Sequence, residues 1–191
     1  YDFISPVVSN NSASNGFGGG ICGSGRFSPC TLVGNVALAG GGLFLTGPAS
    51  LSNLAVSGNA ALGDGGGVYL GANGVLSNAT ISCNSANQGA GVYMTAGTLA
   101  WSTLSGNQAV SNGGGACMAG GLLVNCVLRT NEGTAAESLG GGIYAASGTA
   151  RGSLLVGNSA GSRGGGLHLA TAGSTSENCT VTYNAAPAGS G

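Results

Sequence analysis

Charge is almost missing from this chain. Of 191 residues four are Arg, none is Lys and five are Asp or Glu, for a net charge of −1. Such a chain has no basic stripe to neutralise phosphates, so no nucleic-acid partner is expected. Aromatic residues are scarce too, at 5%. No apolar run reaches the ~18 residues of a membrane-crossing helix. The first residues lack an initiator Met and the charged-then-apolar pattern of a signal segment. The chain therefore reads as a mature or excised stretch, soluble by itself and without a membrane span. Helical periodicity is also missing, since no window repeats apolar residues at helical spacing for the length of a helix.

Gly, by contrast, supplies 41 residues. Without a G-X-Y period that content commonly marks low complexity. Here hydrophobic residues make up 42% and charged ones 5%, the reverse of the balance that keeps chains disordered. The glycines also recur at intervals. One Asn returns along the whole chain, at Asn11, Asn35, Asn59, Asn84, Asn107, Asn131, Asn158 and Asn184, with spacings of 23 to 27 residues. A Gly cluster follows each, as in Gly40-Gly41-Gly42 and Gly65-Gly66-Gly67. An aliphatic residue stands three before each Asn (Val8, Leu32, Val56, Ile81, Leu104, Leu128, Leu155, Val181). Others follow the Gly clusters in alternation, and a third apolar column runs through Leu51, Leu76, Leu99 and Leu123.

Alternation is the signature of strands, and self-similarity at this period is that of a solenoid. The pattern predicts an all-β, right-handed parallel β-helix of about eight coils of ~24 residues, one domain over 1–191 that belongs to a longer array or filament. Three short apolar segments per repeat describe a triangular coil. The preference for right-handed parallel crossovers sets the hand. Coils stacked at the strand spacing of ~4.8 Å would give a rod of roughly 35–40 Å. Asn35, Asn59, Asn84, Asn107, Asn131, Asn158 and Asn184 would then form an amide ladder along the axis. Leu51-x-x-Leu54-x-Val56-x-x-Asn59 also fits a leucine-rich repeat. That match decays in other coils, where the Leu54 position becomes Cys30, Ala79, Ser102, Cys126, Ser153 and Cys179.

The unit Asn59-Ala60-Ala61-Leu62-Gly63-Asp64-Gly65-Gly66-Gly67-Val68-Tyr69 resembles the repeats of the polymorphic outer-membrane protein family. Those carry Phe-x-x-Asn followed by Gly-Gly-Ala-aliphatic. Here Val, Leu or Ile replaces the Phe, and Gly usually replaces the Ala. The resemblance covers essentially the whole chain. It implies a cell-surface passenger or adhesin-like β-helix, with the family's membrane barrel absent from this stretch.

Six Cys are present. Cys22 and Cys30 occupy the same two repeat positions as Cys117 and Cys126, and this repeated pairing predicts disulfides Cys22–Cys30 and Cys117–Cys126. Disulfides imply an oxidising, extracellular compartment. Cys83 and Cys179 lie in different columns four coils apart, too far to bridge, and read as two buried thiols, the alternative being partners of another chain or of a missing segment.

Phe44, Tyr69, Tyr93, Tyr144 and His168 share an outward column with Cys22 and Cys117. Such a column either stacks to stabilise the sheet or offers a contact face to sugar rings or a protein. Glycosidic chemistry needs paired carboxylates, yet Asp2, Asp64, Glu132, Glu137 and Glu177 do not cluster by register. Glu177 should instead pair with Arg151 in the neighbouring coil. Gly18-x-Gly20-x-x-Gly23 carries no weight outside a strand–helix context. No catalytic residue, metal ligand or cofactor is therefore assigned.

Sequons stand at Asn10, Asn78 and Asn178. The last two belong to a second Asn column with Asn53 and Asn125, which could carry no glycan if it faced inward. The expected function is a non-catalytic structural or adhesive surface protein. Its expected partners are itself, end to end, or a cell-surface protein or glycan. Ice binding is the alternative, from Thr80-x-Ser82, Thr103-x-Ser105 and Thr180-x-Thr182, as is a polysaccharide-active fragment.

Overall fold

The computed structural model describes residues 6–187. It is an all-β solenoid without a helix. Every strand pairing is parallel and joins residues one repeat apart, as in Ile81↔Leu104 and Leu104↔Leu128. Eight strands of one sheet, here sheet A, bound about seven turns of ~24 residues.

One coil illustrates the path. Thr80–Ser82 lies in sheet A, Ser85–Ala86 in sheet B, Val92–Met94 in sheet C and Thr98–Ala100 in sheet D. The chain then re-enters sheet A at Thr103–Ser105. Sheets C and D are continuous through the ten-residue strand Leu43–Ser52. The cross-section thus has four strands, not the three that the apolar segments suggest. The extra one, in sheet B, is two residues long in most coils, and its inward residue is Ala or Gly (Ala61, Ala86, Ala109, Gly133). A strand that short and that small leaves no aliphatic alternation to read.

Inside, the aliphatic columns stack as one core. Leu32, Val56, Ile81, Leu104, Leu128 and Leu155 are fully buried from sheet A. Leu43, Val68, Val92 and Ile143 meet them from sheet C, and Leu51, Leu76, Leu99 and Leu123 from sheet D. Because each rung repeats the last, the aliphatic side chains of sheet A stack on aliphatic side chains above and below.

Left-handed residues make the corners. The residue before each ladder Asn has φ between 52° and 66°: Asn10, Gly34, Gly58, Cys83, Gly106, Thr130, Gly157, Tyr183. The residue six before the ladder Asn does the same at Asn53, Asn78, Trp101, Asn125, Gly152 and Asn178, with φ of 50–59°. Gly and Asn adopt this conformation most readily, which explains both recurrent residue types. The second Asn column is therefore a corner column, and Asn53, Asn78 and Asn178 are exposed. It faces outward, so inward burial does not block the sequons at Asn78 and Asn178. Asn10 is exposed as well.

Candidate functional site

The most regular polar feature is the Asn ladder. Asn84 donates from its backbone N–H (3.0 Å) and from Nδ2 (3.0 Å) to Oδ1 of Asn107. Asn107 repeats both bonds to Asn131, at 3.1 and 2.9 Å. Nδ2 of each also reaches a backbone carbonyl of the preceding coil, Val56 O for Asn84 and Ile81 O for Asn107. The pattern runs from Asn11 to Asn184. Asn35, Asn59, Asn84, Asn107, Asn131 and Asn158 are buried. Among the described residues no buried side-chain N or O lacks a partner. A buried amide is stable only when so satisfied, and Asn alone has the donors, acceptor and length for this geometry.

On the outer face of sheet C the aromatic column is a stack. Ring centroids lie 4.7 Å apart for Phe17–Phe44, 4.4 Å for Phe44–Tyr69 and 5.4 Å for Tyr69–Tyr93. Tyr144 and His168 stack at 5.6 Å with planes 5° apart. The rings cover one another's faces and leave mainly their edges to solvent. That geometry serves sheet stabilisation and offers little face to a sugar. Phe17 escapes the repeat arithmetic because it fills the position just before the Gly cluster, where other coils have Ala39, Asp64, Gln88 and Asn112. Cys117 interrupts the stack and is buried between its neighbours Tyr93 and Tyr144. Burial, aided by the nearby Asp64 carboxylate, pushes the Cys117 thiol up to about 12. Burial likewise pushes the Tyr93 hydroxyl up to about 12 and raises Asp64. Burial holds His168 below its ordinary value, with Arg163 adding to the effect.

The cysteines correct the sequence reading. All six are free thiols, and neither Cys22–Cys30 nor Cys117–Cys126 is bridged. Repeat equivalence holds for both pairs, but the two members face opposite ways. Cys22 pairs with Phe44 on the outer face of sheet C and is exposed. Cys30 pairs with Leu54 and points into the core. Cys126 is also in the core, its Sγ 3.6 Å from Leu99 O and 3.3 Å from Val124 O. This is a corner position at which Ser102 donates to Ala100 O at 2.8 Å and accepts from Ala79 N at 3.1 Å. Ser153 does likewise with Arg151 O and Cys126 N. Cys here is a substitute for Ser in closing a turn. Burial raises the Cys126 thiol to about 11. Cys83 is not buried, as the sequence suggested, but exposed on its left-handed corner, and Cys179 is half-buried. Under native conditions a thiol reagent should modify Cys22 and Cys83 rapidly, Cys179 more slowly, and Cys30, Cys117 and Cys126 only on unfolding. Mass mapping of the labelled peptides checks this, and rapid labelling of Cys126 would contradict the assigned facing.

The charged groups stay dispersed. Arg151 Nε donates to Glu177 Oε2 at 2.7 Å across adjacent coils, with both side chains about half exposed. Solvent screening keeps such a pair weak. Glu132 accepts from Gln108 Nε2 at 3.2 Å. Among the described residues no three His, Cys, Asp or Glu side chains converge on one point. No helix among them is long and apolar enough to cross a membrane. A shallow groove of ≈ 400 Å³ runs over sheet B between Leu62, Asn87, Gln108, Val110 and Thr134.

One residue stands out that the repeat analysis passed over. Trp101 is the sole Trp of the chain. It occupies the corner column of Asn53, Asn78 and Asn125, at φ 52° and 64% exposed. Its signal was present in the spacing, six before Asn107, where among the described residues the column otherwise holds Asn, Gly or Pro29. No family model, curated protein or solved structure matches the chain.

Proposed function

We propose that the chain is a non-catalytic structural and adhesive module of an extracellular or cell-surface protein. One observation carries this reading: outward files repeat one kind of chemistry over several successive coils at the strand spacing of ~4.8 Å. The aromatic stack does so from Phe44 to Tyr93, the corner column at Asn53 and Asn78, and the small residues of sheet A from Thr31 to Thr103. A rod with repeating faces suits spacing and multivalent contact, whereas catalysis calls for converging groups in a concave pocket. The repeat's resemblance to polymorphic outer-membrane proteins points the same way. The terminal sheet A strands, Val7–Ser9 and Thr180–Thr182, each pair on one side only among the described residues. Open edges invite pairing with a second copy in a filament.

Beads coated with the chain should be retained on cell monolayers or polysaccharide-coated plates, and negative-stain electron microscopy at rising concentration should reveal filaments of constant width. Reducing-end release from mixed polysaccharides by the purified chain, or the absence of bead retention, would overturn the reading.

Ice binding remains a second reading because of one four-coil patch on sheet A. Thr31, Ala55, Thr80 and Thr103 form one outward file, and Val33, Ser57, Ser82 and Ser105 the other. The patch is small-residued and uncharged until Arg129, which pairs with Ser105. Thermal hysteresis of a dilute solution decides it.

A further inference from the structure

The exposed corner at Trp101 has the chemistry of a saccharide site. Trp101 N–H donates to Val124 O at 3.1 Å, and Asn78 N–H donates to Ala100 O at 3.1 Å. These bonds place Asn78 one rung before Trp101 and Asn125 one rung after it, each about 4.8 Å along the axis. All three residues are left-handed. Neither the Asn78 nor the Asn125 amide makes a side-chain hydrogen bond among the described residues. The outward hydroxyls of Ser77, Thr80 and Thr103 border the same corner. Arg129 sits at the far end of its sheet A strand, and Arg151, one rung beyond Asn125, is held in its ion pair with Glu177.

A bulky residue held at positive φ is an outlier, and outliers of this kind concentrate at functional positions. In this column the ordinary residue is Asn, which tolerates the conformation. Trp gains little there from burial, since it is 64% exposed. We propose that Trp101, with the amides of Asn78 and Asn125 on either side, binds a neutral sugar ring: the indole stacks on the apolar face of the ring and the amides hydrogen-bond its hydroxyls. An open aromatic face flanked by uncharged donors and acceptors matches a polyol better than an ionic partner. The stacked rings of sheet C lack such a face. This inference rests on the adhesive reading and names its ligand class.

The test uses chain made in a bacterial cytoplasm, so that Asn78 carries no glycan. Neutral oligosaccharides, namely gluco-, N-acetylgluco-, manno- and xylo-series, are titrated while the emission of Trp101, the only indole, is followed. A saturable blue shift with at least one series is expected, with calorimetry as a second readout. Trp101→Asn installs the residue that the column prefers, so its melting temperature should equal or exceed that of the parent. Its saccharide affinity should fall about tenfold or more. Asn125→Ala should weaken binding severalfold. An emission spectrum unmoved by every series, or Trp101→Asn binding like the parent, overturns the proposal. So does a blue shift produced only by cell-surface proteins stripped of glycans, which would make Trp101 a protein contact. In each of these cases, bead retention by the parent chain leaves the adhesive reading standing, and lost retention removes both.

Discussion

Asn107→Ala should cost about 3–5 kcal/mol, lowering the melting temperature by about 10 °C. The side chain is fully buried and sits in the middle of the ladder. Removing it orphans the Asn84 backbone N–H and takes a donor from both Ile81 O and Asn131 Oδ1. A buried donor without a partner costs about 1–3 kcal/mol, and the vacated space adds to the loss. Asn87→Ala is the control. That side chain is exposed, and a surface truncation falls within about 0.5 kcal/mol. Asn107→Asp separates hydrogen bonding from packing, because the shape is kept. A carboxylate still accepts from Asn84 but has no proton for Ile81 O or Asn131 Oδ1. Burial would raise its folded pKa above the unfolded value of ~3.9. Relative to the parent, the Asp variant should therefore be most stable below that unfolded value and lose stability as pH rises through the folded one. Chemical denaturation of the four proteins at neutral and acidic pH checks both claims. Equal losses in Asn107→Ala and Asn87→Ala would mean that the ladder contributes no more than surface amides do.

The ladder was legible because a buried column admits no exchange: Asn returns at every coil, and spacing alone exposes it. The aliphatic columns were legible for the same reason. The disulfides were misread because spacing gives register without facing. Cys22 follows Ile21, whose neighbours above are core residues, so parity already turns Cys22 outward. Cys30 shares its column with Ala79, Ser102, Cys126 and Ser153, and exchange of Cys for Ser was the sign of a turn-closing group rather than a bridge. The fourth strand was invisible because it is built of Ala. Its cluster of Ala61, Ala86, Ala90 and Ala109 packs under sheet B by closeness rather than by bulk. The corner columns were half legible. The alignment of Asn53, Asn78 and Asn125 is plain in the sequence, but only the positive φ shared from Asn53 to Asn178 explains why Asn and Gly stand there and why Trp101 departs from the pattern.

Gly67→Ala should destabilise the chain by about 3 kcal/mol or more, whereas Gly58→Asn should be close to neutral. The two glycines are required for different reasons. Gly58 is left-handed at φ 63°, and a Cβ there would meet nothing within 4 Å. Its column already holds Asn10, Cys83, Thr130 and Tyr183 in the same conformation. Asn suits that conformation, and a side chain also narrows the unfolded ensemble. Gly67 has no positive φ, and its restriction is steric. A Cβ would come 2.7 Å from Gly91 O and 3.0 Å from Asn84 Nδ2. Neither neighbour is free to move. Gly91 O accepts from Val68 N at 3.0 Å, and the Asn84 amide is fixed between Val56 O and Asn107 Oδ1. Relief would break a rung of the sheet or a rung of the ladder. The middle position is confined by backbone as well, since a Cβ at Gly66 would run into Ser85 O and come 2.8 Å from Ala90 O, although Ala90 occupies the equivalent position one coil on. The third position is Gly in all seven clusters from Gly20 to Gly166. Melting curves should place Gly58→Asn well above both Gly66→Ala and Gly67→Ala. A Gly67→Ala protein as stable as Gly58→Asn would show that the ladder can shift aside, and that the Gly cluster marks backbone conformation alone.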